Sequence, residues 1–239
     1  MSEDRSLWVF GYGSLCWYPG FEYKASMTGF VQGFGRRFWQ GNVTHRGTVD
    51  KPGRVATLVE SKEEKVYGRA FKVKDNEAMR YLEKRECSLG GYLTALTTFY
   101  SRDDGKSFPA VLYIATNKNE HWLGKAPLQT IADQIAESSG PSGHNVEYLL
   151  RLADFMRRYL PEAHDEHLFS LEVMVRSLIK ERNLCLRTLM GNPEFLDLAT
   201  IDADQMQADR VPEENAPRRE SFQHILRVPE KTLRCLKII

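Results

Sequence analysis

Residues 7–17 read LWVFGYGSLCW. The apolar run over residues 7–12 predicts a short buried strand, and Gly11 and Gly13, on either side of Tyr12, predict a tight turn directly after it. Such a turn can point several backbone N–H groups at one place, which favours the binding of a small carboxylate or phosphate. A Gly-rich bulge that binds nothing is the alternative interpretation. The turn has neither the GxGxxG nor the Gly-Lys-Ser/Thr pattern of a nucleotide-binding loop.

The composition is typical of a globular protein that works in water. Of the 239 residues, 42% are hydrophobic and 27% are charged, and the formal net charge is +1. This balance gives no support for binding to nucleic acid or to an anionic membrane. The apolar run near the start is too short for a signal peptide or a membrane span. The sequence predicts free thiols and therefore a reducing compartment, the cytosol, because no CxxC or metal-ligand spacing joins Cys16, Cys87, Cys185 and Cys235.

Strand patterns precede helix patterns along the chain, which predicts an α+β fold with a mostly antiparallel or mixed sheet. Two strands joined by a polar hairpin turn at residues 61–64 are expected over 54–59 and 65–73. The other predicted strands cover residues 30–40, 92–100 and 109–116, and the predicted helices cover 75–85, 127–139, 144–159 and 165–182. Residues 183–239 form a predicted C-terminal extension to a domain of residues 1–182, and residues 202–220 within it are predicted to be a loop or a disordered linker.

The aromatic and basic segment of the first long strand has two interpretations. Arg36 and Arg37 stand directly before Phe38 and Trp39, as in a surface that stacks on RNA. The neutral net charge and the lack of an RNP-type motif favour the other interpretation, a strand with both arginines at its solvent edge.

Glu86 is the carboxylate that the sequence places where a general base would be useful. The helix predicted from Asp75 onwards must end near Gly90 and Gly91, so Glu86 lies in its last turn or just beyond it. The negative end of the helix dipole would raise the pKa of a carboxyl there. A solvated glutamate at a helix end is the alternative. No metal site, nucleophile elbow or catalytic cysteine pattern is found, and His164 and His167 are interpreted as a solvated helix start.

Several motifs in register then resemble one family, the ChaC family of glutathione-specific γ-glutamylcyclotransferases, over about residues 7–180. The matching motifs are Phe10-Gly11-Tyr12-Gly13-Ser14-Leu15, Arg36-Arg37-Phe38-Trp39-Gln40, His45-Arg46-Gly47, Pro52-Gly53-Arg54-Val55, Arg85-Glu86, Gly90-Gly91-Tyr92, Leu123-Gly124, Gly140-Pro141-Ser142-Gly143-His144-Asn145 and Glu147-Tyr148-Leu149.

The resemblance implies a small mixed β-barrel with flanking helices and a reaction that converts glutathione to 5-oxoproline and Cys-Gly without a cofactor or a metal. It implies that Glu86 is the catalytic acid and base, with Glu77 as a second glutamate that either tunes the site or gates a loop. Arg46 and Arg54 are weaker candidates for the glycine carboxylate, and structural pairing is the alternative for both. The implied substrate-binding residues are Val9, Phe10, Gly11, Tyr12, Gly13, Ser14, Leu15 and Tyr148.

Two other functions remain open from the residues alone. The same fold can act on another γ-glutamyl amine or amino acid, because the loop would hold the shared γ-glutamyl end. Alternatively, the chain is a non-catalytic regulator that binds a protein partner through its fold or through residues 183–239. The presence of Glu86 argues against a purely non-catalytic role.

Overall fold

The strand predicted at the start of the chain closes a β-barrel in the computed structural model, which describes residues 7–88 and 90–191. The barrel strands are β1 (Trp8–Gly11), β2 (Tyr23–Asn42), β3 (Gly53–Val73), β4 (Leu93–Ser101) and β5 (Ser107–Ile114). They neighbour one another in the order β1-β3-β2-β4-β5. β1 runs parallel to β5, whereas the other pairs are antiparallel. The predicted α+β class and small mixed barrel are therefore confirmed.

The helices lie close to their predicted positions. They are α1 (Asn76–Leu82), α2 (Leu128–Glu137), α3 (Asn145–Tyr159), α4 (Glu166–Glu181) and the short α5 (Leu186–Leu189), and the two-residue strands β6 (Ser139–Gly140) and β7 (Gly143–His144) pair just before α3.

Three of the helices begin at a polar cap. The side chains of Asp75, His144 and Asp165 each accept hydrogen bonds from N–H groups of the first helical turn, which satisfies donors that the helix itself cannot.

Two apolar clusters fix the helices to the barrel. α3 carries the clearest helical periodicity, and its positions Val146, Leu149 and Ala153 are fully buried in the main cluster with α2, α4 and the barrel interior. A second cluster lies where Val9 of β1 meets Phe71 and Val111, and Ala78 and Leu82 of α1 pack into it. Because α1 packs onto the same strand that leads into the Gly-rich turn, the end of this helix is held near that turn.

The predicted hairpin at residues 61–64 is wrong. Both halves of the predicted pair belong to the continuous strand β3, and both pair antiparallel with β2 rather than with each other. Lys65 pairs with Gln32 and Glu60 pairs with Phe34, so the residues between them form a bulge opposite Gly33, whose φ is 84°. A polar run inside a long strand resembles a turn in sequence, and only its partner strand distinguishes the two.

The expectation that both arginines of β2 lie at a solvent edge is wrong for Arg36. Its side chain is fully buried, forms an ion pair with Asp165 at 2.8 Å and donates to the backbone oxygen of Tyr67. Arg37 instead pairs with Glu64 near the surface. The start of α4 is thereby tied to the barrel.

The predicted solvated helix start at His164 and His167 holds only for His164, which is exposed. His167 accepts a hydrogen bond from the N–H of Phe38 at 3.0 Å. Burial lowers the pKa of His167 to about 4, so its ring stays neutral and can keep accepting this bond at neutral pH.

The division into residues 1–182 and 183–239 stays a prediction. Leu189 in α5 is buried in the main cluster, and Leu184 and Met190 pack against it, so the packed part of the chain continues past residue 182. The rest of the extension, including the predicted linker over residues 202–220, lies outside the described residues.

We expect Asp165→Ala to lower the free energy of unfolding by about 3–5 kcal/mol, because it leaves the charge of Arg36 buried without its partner and removes the cap of α4. Urea unfolding measures the change. Asp133→Ala is the control, since it breaks a half-exposed pair with Arg182 and should cost less than about 1 kcal/mol. Equal losses in the two variants would contradict this account.

Candidate active site

The turn after β1 forms one wall of a small pocket. β1 ends at Gly11, and a single 3-10 turn follows over Ser14–Cys16. A Cβ atom at Gly11 would lie 2.5 Å from Cβ of Leu15, which is closer than such atoms approach. A Cβ atom at Gly13 would lie 2.6 Å from Oη of Tyr148. Close neighbours therefore favour glycine at both positions.

The backbone of this turn has unused donors. The hydrogen bonds that close it are donated by the N–H groups of Cys16 to Gly13 at 3.0 Å and of Tyr18 to Ser14 at 2.8 Å. Among the described residues, no hydrogen bond is donated by the N–H groups of Gly13, Ser14 or Leu15. These donors are available to an anionic group, as the sequence pattern predicts.

Glu86 lies in the same pocket. α1 continues past its last α-helical residue as a π-helical turn over Glu83–Ser88, and such turns are frequent at functional sites. The N–H of Tyr92 donates to the backbone oxygen of Glu86 at 3.0 Å, and Gly91 leaves the turn with a φ of 63°. The prediction that the helix ends near these glycines, with Glu86 in its last turn, is confirmed. The Glu86 side chain is only 16% exposed.

Burial raises the pKa of the Glu86 carboxyl above its ordinary value. The guanidinium of Arg85, whose Nε lies 3.1 Å from Oε1 of Glu86, acts in the opposite direction. The sequence predicted the same direction from the helix dipole, whereas the structure makes loss of solvent the main cause. A carboxyl with a raised pKa is better suited both to accept and to return a proton than one with an ordinary pKa.

Tyr148 reaches the pocket from α3. Its Oη accepts a hydrogen bond from the N–H of Ala56 at 3.2 Å, so its own proton can be donated towards the pocket. The ring is held edge-on by Trp17 and Phe38, with centroid distances of 5.3 and 6.0 Å. Burial raises the pKa of Tyr148 to about 12, which keeps the hydroxyl protonated.

Three further tyrosines line the pocket: Tyr12, Tyr92 and Tyr113. The hydroxyl of Tyr12 donates to the backbone oxygen of Tyr113. Burial is the main cause that raises the pKa of each of these tyrosines, and the charge of Glu86 contributes in the same direction. The pocket therefore presents neutral hydroxyl groups around one carboxylate.

Tyr92 and Tyr113 line the pocket although the sequence did not indicate them as site residues, and the same holds for Val55 and Ala56. The position of Tyr92 directly after two glycines and six residues after Glu86 was an available signal. Val55, Ala56 and Tyr113 carry no local signal for a position in the pocket, because only closure of the barrel brings β3 and β5 to it.

The pocket unites most of the predicted residues. It is lined by Phe10, Gly11, Tyr12, Gly13, Ser14, Leu15, Glu86 and Tyr148. Its volume is about 80 Å³. Whole drug-sized ligands occupy roughly 300–1,000 Å³, so this pocket is too small for a whole ligand of that kind.

Four predicted residues do not line it. Val9 is fully buried in the second apolar cluster, and Glu77 is exposed in the first turn of α1. Arg46 pairs with Glu147 on α3. Arg54 donates to Gln134 on α2 at 2.7 Å and to the backbone oxygen of Gly124 at 2.8 Å. Both arginines thus have the structural pairing that the sequence left as an alternative.

A larger open cleft of about 600 Å³ runs along the connection between α3 and α4. Two of its charged side chains are paired, Arg157 with Glu172 and Asp165 with Arg36. It contains neither Glu86 nor the Gly-rich turn, so the smaller pocket is the better candidate for chemistry.

Within residues 7–88 and 90–191, no three His, Cys, Asp or Glu side chains come together in a way that could hold a metal ion. The expectation that the protein needs no metal or cofactor stays a prediction. None of the described helices is long and apolar enough to cross a membrane.

Comparison with known proteins places these features in one family. The family model described as ChaC-like protein matches residues 7–178. Glutathione-specific gamma-glutamylcyclotransferase 1 of Mus musculus is 49% identical over 181 residues, which cover 74% of this chain and 81% of that protein. The protein of the same name from Danio rerio is 48% identical over 184 residues and is covered to 94%.

The fold agrees with a solved relative. The crystal structure of a gamma-glutamyl cyclotransferase specific to glutathione from yeast superposes with a TM-score of 0.66 at 28% identity, covering 72% of this chain and 96% of that one.

We expect Gly13→Ala to lower the free energy of unfolding by about 1–3 kcal/mol, because its methyl group would collide with the hydroxyl of Tyr148. Tyr148→Phe removes that hydroxyl and should relieve the collision. A double-mutant cycle by urea unfolding should therefore give a double variant that is more stable than the sum of the single effects, by at least about 0.5 kcal/mol. Simple additivity would contradict the proposed contact.

We expect Glu86→Gln to stabilise the protein near neutral pH. The carboxyl has a raised pKa in the folded state, so the stabilisation from its proton is complete below the unfolded pKa of about 4.3 and is lost as the pH rises through the folded value. Glu86→Gln has no carboxyl at this position, so its stability does not fall for this reason. The difference in unfolding free energy between the variant and the wild type should therefore grow as the pH rises above about 4.

Urea unfolding over a pH series measures this difference. Glu77→Gln is the matched control, because it removes one exposed carboxylate from the same helical segment. A stability advantage of Glu86→Gln that shrinks with rising pH would contradict the raised pKa.

Proposed function

This chain belongs to the ChaC-like protein family, and we propose that it is a glutathione-specific γ-glutamylcyclotransferase, a lyase that converts glutathione to 5-oxoproline and Cys-Gly. One observation carries the proposal: the buried carboxylate of Glu86 shares a small pocket with the Gly-rich turn after β1. The relatives from Mus musculus and Danio rerio are named for this activity.

In this proposal the γ-glutamyl end of glutathione occupies the pocket. Its α-carboxylate binds to the unused N–H groups of Gly13, Ser14 and Leu15. The small enclosed volume supports this orientation, since it fits one end of the tripeptide and leaves Cys-Gly towards the opening. Tyr148 and Tyr92 supply hydroxyl groups that can hydrogen-bond to the amide being cleaved.

Glu86 would act first as base and then as acid. It takes a proton from the α-ammonium group of the substrate, and the resulting amine attacks the γ-carbonyl carbon to close a five-membered ring. The bond from that carbon to the cysteine nitrogen then breaks. The ring nitrogen of 5-oxoproline keeps one hydrogen, and the two protons that it loses end on the nitrogen of Cys-Gly. The raised pKa of Glu86 supports both roles.

Holding the substrate in the reactive conformation supplies a second part of the rate enhancement. The attacking amine and the carbonyl carbon belong to the same molecule, so no second reactant must be captured. The pocket needs to select the folded conformer in which the amine lies against the carbonyl. Closely packed walls of aromatic rings and backbone are suited to this selection.

The proposed location and partners follow from less specific observations. Cys16 and Cys185 are free thiols, which supports the cytosol, whereas Cys235 lies outside the described residues. The formal net charge of +1 supports a small-molecule substrate over nucleic acid or a membrane. Residues 183–239 are the proposed site for any protein partner.

We expect the purified protein to release 5-oxoproline and Cys-Gly from glutathione, and Glu86→Gln to lower kcat by about 10²–10⁴-fold, because the amide keeps the shape but cannot take the proton. Chromatography of both products measures the rate. Activity on γ-Glu-Ala but not on glutathione would indicate that the substrate is another γ-glutamyl compound.

Two other outcomes have clear meanings. Full activity of Glu86→Gln would show that Glu86 is not the base, and Glu77 would be the next residue to change. Inactivity of the wild type on every γ-glutamyl compound, together with a cellular effect that depends on residues 183–239, would favour the non-catalytic regulator.

A further inference from the structure

Arg85 connects the carboxylate to the Gly-rich turn. Its Nε lies 3.1 Å from Oε1 of Glu86, and its Nη2 donates to Oγ of Ser14 at 2.7 Å. Its Nη1 donates to the backbone oxygens of Tyr18 and Pro19 at 3.1 and 3.0 Å. All three nitrogens of the guanidinium are thereby engaged, and the side chain is 18% exposed. Arg85 itself does not line the pocket.

We propose that Arg85 is the positioning residue of the site: its guanidinium holds the carboxylate of Glu86 and the turn at Ser14 in a fixed relative position, so that base and bound substrate meet. This inference rests on the proposed cyclotransferase function. Arg85 acts through Glu86 and Ser14 and does not contact the substrate.

The two parts that Arg85 joins come from separate elements. Ser14 follows β1, whereas Glu86 lies in the π-helical turn after α1, and α1 is attached to the barrel mainly through Ala78 and Leu82. In the π-helical turn, Cys87 packs against the same cluster, whereas the carboxylate of Glu86 is joined to the turn at Ser14 through Arg85. A planar guanidinium with donors on three nitrogens can fix two groups at a defined angle, which a lysine ammonium cannot.

The segment after the turn is also built around Arg85. Gly20 has a φ of 73°, and a Cβ atom there would collide with the hydroxyl of Tyr81 and lie 3.5 Å from Nη1 of Arg85. The chain over residues 18–20 therefore passes close to the guanidinium and places two carbonyl oxygens on it. Since the backbone has a conformation that favours glycine here, this close approach is a built feature of the fold.

Arg85 also sets the charge balance of the base. It is the charged group that opposes the effect of burial on Glu86. The tyrosines that face Glu86 have raised pKa values and are neutral where a carboxyl titrates. The titratable and charged groups around Glu86 and Arg85 are Tyr12 after β1, His45 between β2 and β3, Glu83 and Cys87 in the π-helical turn, Tyr92 before β4, Tyr113 in β5 and Tyr148 in α3.

The test compares Arg85→Gln, Arg85→Lys and Ser14→Ala with the wild type over a pH series on glutathione. We expect Arg85→Gln to lower kcat by about 100-fold with little change in KM, because the base is misplaced while the binding groups remain. Removing the cation should also move the acid limb of the pH profile to higher pH, since Glu86 must be deprotonated to act. Arg85→Lys should keep the acid limb but still lose kcat.

Arg80→Gln is the matched control, because it removes an exposed arginine from α1 without touching the pocket. Coupling with Ser14 provides a second readout. If Arg85 acts through Ser14, the double variant Ser14→Ala with Arg85→Gln should be no slower than Arg85→Gln alone. Far-UV circular dichroism confirms folding, and Arg85→Lys carries the test if Arg85→Gln does not fold.

A carboxyl ¹³C NMR titration of Glu86 separates this inference from the proposed function, because it needs no substrate. If the protein is inactive on glutathione but the pKa of Glu86 rises in Arg85→Gln, the role of Arg85 is retained and glutathione is rejected as the substrate. A raised KM with unchanged kcat and unchanged titration would overturn the inference in favour of substrate contact. Wild-type kcat in Arg85→Lys, or an unshifted Glu86 titration in Arg85→Gln, would also overturn it.

Discussion

The position of β1 is the constraint on which the rest of the structure depends. This strand has only four residues, yet it pairs with β3 along one edge and with β5 along the other, so it closes the barrel. Its inward and outward faces are both covered, because Phe10 belongs to the main cluster and Val9 to the second one. The turn that follows therefore leaves the barrel at a fixed place. Strand pairing in the barrel thereby fixes the position of the backbone N–H groups of that turn.

The site is a compromise between stability and chemistry. Burying the carboxylate of Glu86 disfavours its charged form, so the folded protein would be more stable near neutral pH without that charge. The same burial raises its pKa, which favours a group that must both take and give a proton. Around it the protein places neutral tyrosine hydroxyls, which leave hydrogen-bond donors for a substrate, and the guanidinium of Arg85 offsets part of the effect of burial.

Arginines of similar appearance in the sequence have different roles in the structure. Arg36 joins the barrel to α4, Arg46 and Arg54 join the loop after β2 and the start of β3 to the helices, and Arg85 joins the Gly-rich turn to Glu86. Each lies within a motif that resembles the ChaC family. The role of an arginine depends on which carboxylates and carbonyl oxygens lie within reach of its long side chain, and these belong to residues far away in the chain.

The sequence by itself determined the elements, because hydrophobic periodicity, caps and glycine turns are local. It was sufficient for the α+β class, for four helices within a few residues and for the end of the α1 segment near Gly90, and its motifs identified the family and the pairing of the Gly-rich turn with Glu86. Only the tertiary structure decided that residues 61–64 bulge within one strand, that Arg36 is buried, that Tyr92 and Tyr113 line the pocket, and that Glu86 owes its raised pKa mainly to burial. The reason is that strand partners, burial and charge neighbours are set by contacts between distant segments, which no local pattern of residues encodes.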